Sequence, residues 1–204
     1  MKYNKVFPIL ALAVILSLLM LAIPAAPALA QTITLNPPSG PPGTAITVTG
    51  TGFTAGNTYQ VTFAYGTTFA QVVASGTVSG TTFSATFNVP SVPRGTYEIR
   101  VVTTPQTFSP TFTVTPQITL SASSGYVGDT ITISGNGFAA STGITILFDA
   151  ISKGTTTTNA SGTFTGFSLT IPESTKGSHT VKAQETSAPS NYATATFTVS
   201  AKIT

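Results

Sequence analysis

Apolar residues recur along this chain at every second position, in short rows separated by Thr, Ser and Gly. Ile46 and Val48 alternate with Thr47 and Thr49. Tyr59, Val61 and Phe63 form the next row, then Ala85, Phe87 and Val89, then Tyr97, Ile99 and Val101, and finally Phe112 and Val114. Such period-2 alternation marks strands with one buried and one wet face. The rows then return in the same order: Ile131 and Ile133; Ile144, Ile146 and Phe148; Phe167, Leu169 and Ile171; His179, Val181 and Ala183; Phe197 and Val199.

The segments that start each series are near copies. SGPPGTAITVTGTGF at 39–53 and SGYVGDTITISGNGF at 124–138 stand 85 residues apart. For the third and fourth rows the offset falls to 82, and it returns to 85 for the last. Slips of this kind belong in loops, where chain length is tolerated. With a first strand around 33–35 and again around 118–120, each copy holds about seven short strands with turn residues between them. That number and spacing fit an immunoglobulin-like sandwich. Gly50, Gly52, Gly135 and Gly137 are expected to let the chain leave its second strand through positive φ or a bulge. Phe53 and Phe138 then return to the core as plugs. No window beyond the N-terminus has helical periodicity, so the expected fold is all-β: two tandem sandwiches, 31–116 and 117–204. Only Thr115 and Pro116 separate the last row of one copy from the first strand of the next. A proline in so short a link predicts a semi-rigid rod.

The N-terminus has a different pattern. Lys2 and Lys5 precede an apolar stretch over 6–23, and Ala28-Leu29-Ala30 stands just before Gln31. A basic start, an apolar middle and a small-residue cleavage site are the plan of a secretory signal peptide, here 1–30. The stretch is long for that role. At ~1.5 Å per helical residue it nearly crosses a bilayer, so an uncleaved anchor is the competing reading. The chain has no Cys, which excludes lipid attachment through that residue and leaves the sandwiches to fold without disulfides.

Composition sharpens this picture. Thr accounts for 41 of 204 residues, and heavy Thr among Val, Ile, Phe and Tyr suits sheets with one solvated face. The formal charge of +3 shrinks once Lys2 and Lys5 leave with the signal, since six basic residues then face five acids. No two basic residues are adjacent, and a nucleic-acid partner is therefore not expected.

The run SG-x-x-G-x-x-[IV]-T-[IV]-x-G-x-GF is followed by PSVPRGTYEIRV at 90–101 in the first copy and by IPESTKGSHTV at 171–181 in the second. These elements resemble the IPT/TIG domain, an immunoglobulin-like module, and the resemblance extends over 31–204. It implies an adhesive or spacing unit of the kind found in exported bacterial proteins. The transcription-factor branch of the family does not fit the leader or the absence of basic loops. The expectation is a secreted or cell-surface structural or adhesive protein without cofactor or metal. Its partner would be a cell-envelope polymer, a glycan or another protein, with self-association through edge strands and membrane contact only through an uncleaved leader. The alternative is a noncatalytic carbohydrate-binding accessory module.

Catalytic chemistry is poorly supplied. The one histidine, His179, stands where the first copy has Tyr97, and no carboxylate shares its position in the repeat. A general base needs a partner within hydrogen-bond reach, so a structural role is expected. The acids are Glu98, Asp129, Asp149, Glu173 and Glu185, with neither a DxDxDG run nor a close pair among them. Asp129 replaces Thr44 and Asp149 replaces Ala64, at places that suit local backbone hydrogen bonding. Only a cluster of Asp149, Glu173 and His179 would revive an enzyme. TGTGFTAG lacks the lysine of a phosphate loop. Two basic pairs match across the repeat, Arg94 with Lys176 and Arg100 with Lys182, and the second pair is expected to face solvent as a weak basic stripe. Without Trp, the candidates for aromatic contact are Tyr65, Tyr126 and Tyr192, in or near loops. With Arg100 and Lys182 they are the expected partner-contact residues.

Overall fold

A computed structural model describes residues 30–201, so the leader expected over 1–30 lies outside the described residues except for Ala30. The first repeat runs through β1 (Thr32–Asn36), β2 (Ser39–Gly40), β3 (Ala45–Thr51), β4 (Thr58–Phe63), β5 (Gln71–Thr77), β6 (Thr82–Asn88), β7 (Gly95–Thr103), β8 (Gln106–Phe108) and β9 (Thr111–Val114). The second runs through β10 (Gln117–Leu120), β11 (Ser124–Gly125), β12 (Thr130–Asn136), β13 (Gly143–Phe148), β14 (Ile151–Thr157), β15 (Phe164–Thr170), β16 (Gly177–Glu185) and β17 (Tyr192–Val199).

Each repeat packs a three-stranded sheet on a larger one. The order β1-β3-β6 in the first is matched by β10-β12-β15 in the second, and β2-β9-β7-β4-β5, with β8 on β7, by β11-β17-β16-β13-β14. The alternating rows face inward as their spacing requires. Ile46, Val48, Val61, Phe63, Ile99, Val101 and Phe112 are buried in one core, and Ile131, Ile133, Ile144, Ile146, Val181, Ala183 and Phe197 in the other. The threonines explain themselves on the outer faces, where Thr47 pairs with Thr86, Thr96 with Thr113 and Thr130 with Thr170 across neighbouring strands. Such cross-strand contacts each add a few tenths of a kcal/mol, ~0.2–1.

The strand number exceeds the expected seven because β2, β8 and β11 are only two or three residues long and carry no alternation to read. The outermost β5 and β14, with sequences QVVASGT and ISKGTTT, lack an apolar row because they are largely exposed. Both are bulged against their partners, between Val61 and Thr62 and between Ile146 and Leu147. Bulges discourage further pairing at an open edge. The offset changes at the hairpins. The turn from β4 to β5 spans 64–70, whereas β13 reaches β14 through Asp149 and Ala150 alone, both at positive φ (50° and 69°). Two left-handed residues in a two-residue turn match the twist of the flanking strands.

Phe53 and Phe138 are buried as expected, against Phe83 and Phe164 at ring-centroid distances of 5.4 and 5.8 Å. Gly52 and Gly137 have positive φ, but Gly50 and Gly135 do not. The latter two are glycines for space, because the Phe83 and Phe164 rings lie directly over them.

Candidate functional site

Four of the five expected contact residues form two like pairs. Arg100 on β7 and Lys182 on β16 hold the same position in the two repeats and point outward. The Arg100 guanidinium carbon lies 4.1 Å from the centre of the Tyr65 ring, and Lys182 Nζ lies 4.2 Å from that of Tyr192. Each tyrosine is about half exposed, 44 % for Tyr65 and 50 % for Tyr192. A cation over an exposed ring is worth ~0.5–1 kcal/mol, enough to favour one side-chain arrangement. The surface therefore carries two patches, each a charge set over an aromatic ring, rather than a bare basic stripe. Tyr65 reaches Arg100 from the long turn after β4, while Tyr192 opens β17 itself. Tyr126 joins neither pair. It precedes a turn in which its backbone N–H donates to Asp129 Oδ2 at 2.8 Å, the local bonding expected of that acid.

The expectation that His179 lacks a carboxylate partner is overturned. Asp149 is remote along the chain but sits in the tight turn after β13, and its Oδ2 lies 2.5 Å from His179 Nδ1. Its Oδ1 accepts the Thr180 N–H at 2.9 Å. This is still a poor base, because Nε2 is also occupied, by the Thr175 carbonyl at 2.8 Å. Glu173 is exposed and does not join the pair. The third partner is a carbonyl where a triad needs a nucleophilic hydroxyl.

The contacts that spacing along the chain does not reveal join the two repeats, which lie in one compact unit beginning at Gln31. The loop before β7 projects onto the second repeat. Arg94 donates its backbone N–H to the Phe138 carbonyl at 2.9 Å and its Nε–H to Glu185 Oε1 at 2.7 Å. Ser91 and Thr163 hydroxyls meet at 3.3 Å. Glu185 is 1 % exposed and also accepts from Ala139 N–H at 2.8 Å and Asn191 Nδ2 at 3.1 Å. Burial pushes its carboxyl up, but the hydrogen bonds from Arg94, Ala139 and Asn191, with the Arg94 charge, outweigh it and hold the group below its ordinary range. One signal was present: Glu185 continues the inward row of His179, Val181 and Ala183, and an acid there demands a partner. That partner is 91 residues away and invisible to spacing.

Backbone contact at this junction depends on two glycines. A Cβ on Gly137 (φ 67°) would overlap the Thr115 carbonyl and lie 2.8 Å from Pro42 Cδ. A Cβ on Gly162 (φ 70°) would overlap the Phe138 carbonyl and lie 2.9 Å from Pro93 Cα. Gly137→Ala should cost about 1–2 kcal/mol for the left-handed backbone alone and push the repeats apart. Small-angle scattering should then show a larger maximum dimension; an unchanged profile would mean that the contact does not set the arrangement.

Comparison of the sequence with curated proteins gives no match. Among solved structures the chain is similar to invasin, a bacterial integrin-binding protein, at 18 % identity over 85 % of this chain and 40 % of that one (TM-score 0.38). It is similar to a tetra-tandem repeat in the extending region of a large adhesion protein at 18 % identity over 84 % and 49 % (TM-score 0.37). It is also similar to red sea bream transglutaminase at 12 % identity over 91 % and 33 % (TM-score 0.36). This chain thus spans less than half of each. The IPT/TIG domain model matches residues 31–116, the whole of the first sandwich, and that segment is therefore an IPT/TIG domain.

Proposed function

We propose that the protein is an exported, noncatalytic structural or adhesive module in which two IPT/TIG units, 31–116 and 117–204, hold a set angle and present surface patches to a partner at the cell surface. The observation that carries this reading is the junction. An ion pair whose acid is buried, a backbone hydrogen bond and two glycine contacts fasten one sandwich to the other, an arrangement suited to transmitting position and force and of no use to a flexible linker. In this reading residues 1–30 direct export, and the Arg100–Tyr65 and Lys182–Tyr192 patches meet a polymer, glycan or protein of the cell envelope.

The test is sedimentation of the full chain with isolated envelope material from its source cells, alongside identification of the protein's N-terminus in medium, membrane and wall fractions. Retention on the envelope that falls at least tenfold in a Tyr65→Ala, Tyr192→Ala double variant supports the reading. Equal retention of that variant removes the patches from it, and a protein confined to the cell interior defeats the proposal.

A further inference from the structure

The two repeats close the same corner with different chemistry. In the first, the Tyr97 hydroxyl donates to the Pro93 carbonyl at 2.8 Å, four residues back. In the second, His179 takes that place and its Nε2 meets the Thr175 carbonyl, also four residues back. Its Nδ1 meets Asp149, which stands where the first repeat has Ala64. A carbonyl and a carboxylate are both acceptors, so both ring nitrogens have to donate at once. Only the imidazolium does so; a neutral ring surrenders one of the two bonds. The tyrosine has no such dependence near neutrality, and burial pushes its hydroxyl still higher.

We propose that His179 is a proton-operated latch on residues 172–176, closing this loop against the β13–β14 turn when the ring is charged and releasing it when the ring is neutral. The loop is the counterpart of 90–94, with which the first repeat grips the second, so the latch shapes the corresponding end of the second repeat.

The charges agree in direction. The bond to Asp149, then that to the Thr175 carbonyl, raises the histidine above its ordinary 6.5 against the opposing effect of burial. The bond to His179, aided by the Thr180 N–H, lowers Asp149 below its ordinary 3.8 despite burial. A raised histidine contributes fully below 6.5 and loses its contribution as pH rises through the folded value; a lowered carboxyl loses its contribution only as pH falls through its own. The latch is therefore complete in mildly acid solution and opens toward alkaline pH. Around the ring, Phe148 stacks at 5.1 Å and Phe197 lies opposite on β17, which has no charged residue. The other charged groups on β16 and its neighbouring elements are Asp129, Lys153, Glu173, Lys176, Lys182 and Glu185, the last of them paired with Arg94. Among the described residues none of them hydrogen-bonds or ion-pairs with the ring.

The sole histidine gives ring signals that need no assignment, so the full chain is followed by NMR from pH ~5 to ~9, across the histidine range, with carbon-13 relaxation reporting the backbone order of 173–177. The expected result is a ring transition above 6.5 with order at 173–177 lost over the same interval. An Asp149→Ala, His179→Tyr double variant, which copies the first repeat, should keep that order throughout. Should it fail to fold, Asp149→Asn replaces it, and the ring transition and the loss of order should move down together. Order that is indifferent to the ring transition, a transition at or below the ordinary value, or the same loss in the double variant would overturn the latch.

Discussion

Phe138→Ala should destabilise the second repeat by about 3–5 kcal/mol, the usual cost of emptying a buried phenylalanine site, and should loosen the junction as well. The ring is fully buried against Phe164, and its removal leaves a cavity between the two sheets. The same residue is fastened at its backbone: its N–H donates to the Gly162 carbonyl at 3.1 Å and its carbonyl accepts Arg94 N–H at 2.9 Å. Collapse around the missing ring therefore moves the peptide that holds the first repeat. Phe53→Ala is the control, since Phe53 is 3 % exposed and packs on Phe83 and Phe108 without any junction contact of this kind. Denaturant unfolding should report similar losses for the two variants, while scattering should report a wider arrangement for Phe138→Ala alone. A loss under ~1 kcal/mol would show that the residue is no core plug.

Arg94→Ala should cost about 2 kcal/mol, below the roughly 3–5 typical when one partner of a buried pair is removed. Glu185 remains buried and charged, but it keeps the Ala139 and Asn191 donors, and the Arg94 side chain is itself 37 % exposed. The pH dependence distinguishes this pair from ordinary packing. Glu185 is held below its ordinary carboxyl value, so its contribution is present above that value and lost as pH falls through the lowered folded one. Without Arg94, burial acts with less opposition and the carboxyl rises. Acid loosening should then begin at higher pH in Arg94→Ala than in the parent. A double-mutant cycle with Glu185→Gln isolates the pair; a coupling near zero, with identical acid profiles, would reduce Arg94 to a surface residue.

The two predictions differ in how far the chain announces them. Phe138 was legible because the GxGF element occurs twice in register and its neighbours alternate with the period of a strand. The inward rows at 46–48, 59–63 and 97–101 were legible for the same reason: burial on one face writes a period into the sequence. β5 and β14 were not, because exposed edge strands place no apolar demand on their residues. Tyr65, Arg100, Lys182 and Tyr192 could be singled out individually, but their pairing depends on the length of the turn after β4 and on where β17 begins.

Alternation and repetition are local properties, and they suffice to call for an all-β chain, two cores, the phenylalanine plugs and the short proline-containing link. Arg94 meets Glu185, and Asp149 meets His179, only once the chain has folded. Each of these pairs joins residues from separate loops and strands, and a single acid or base leaves no periodic trace of its partner. What brings them together is the register of strands that are themselves placed by apolar burial. The charged contacts that set the junction and the loop latch are thus consequences of the fold, readable only once the hydrophobic rows have put the backbone in place.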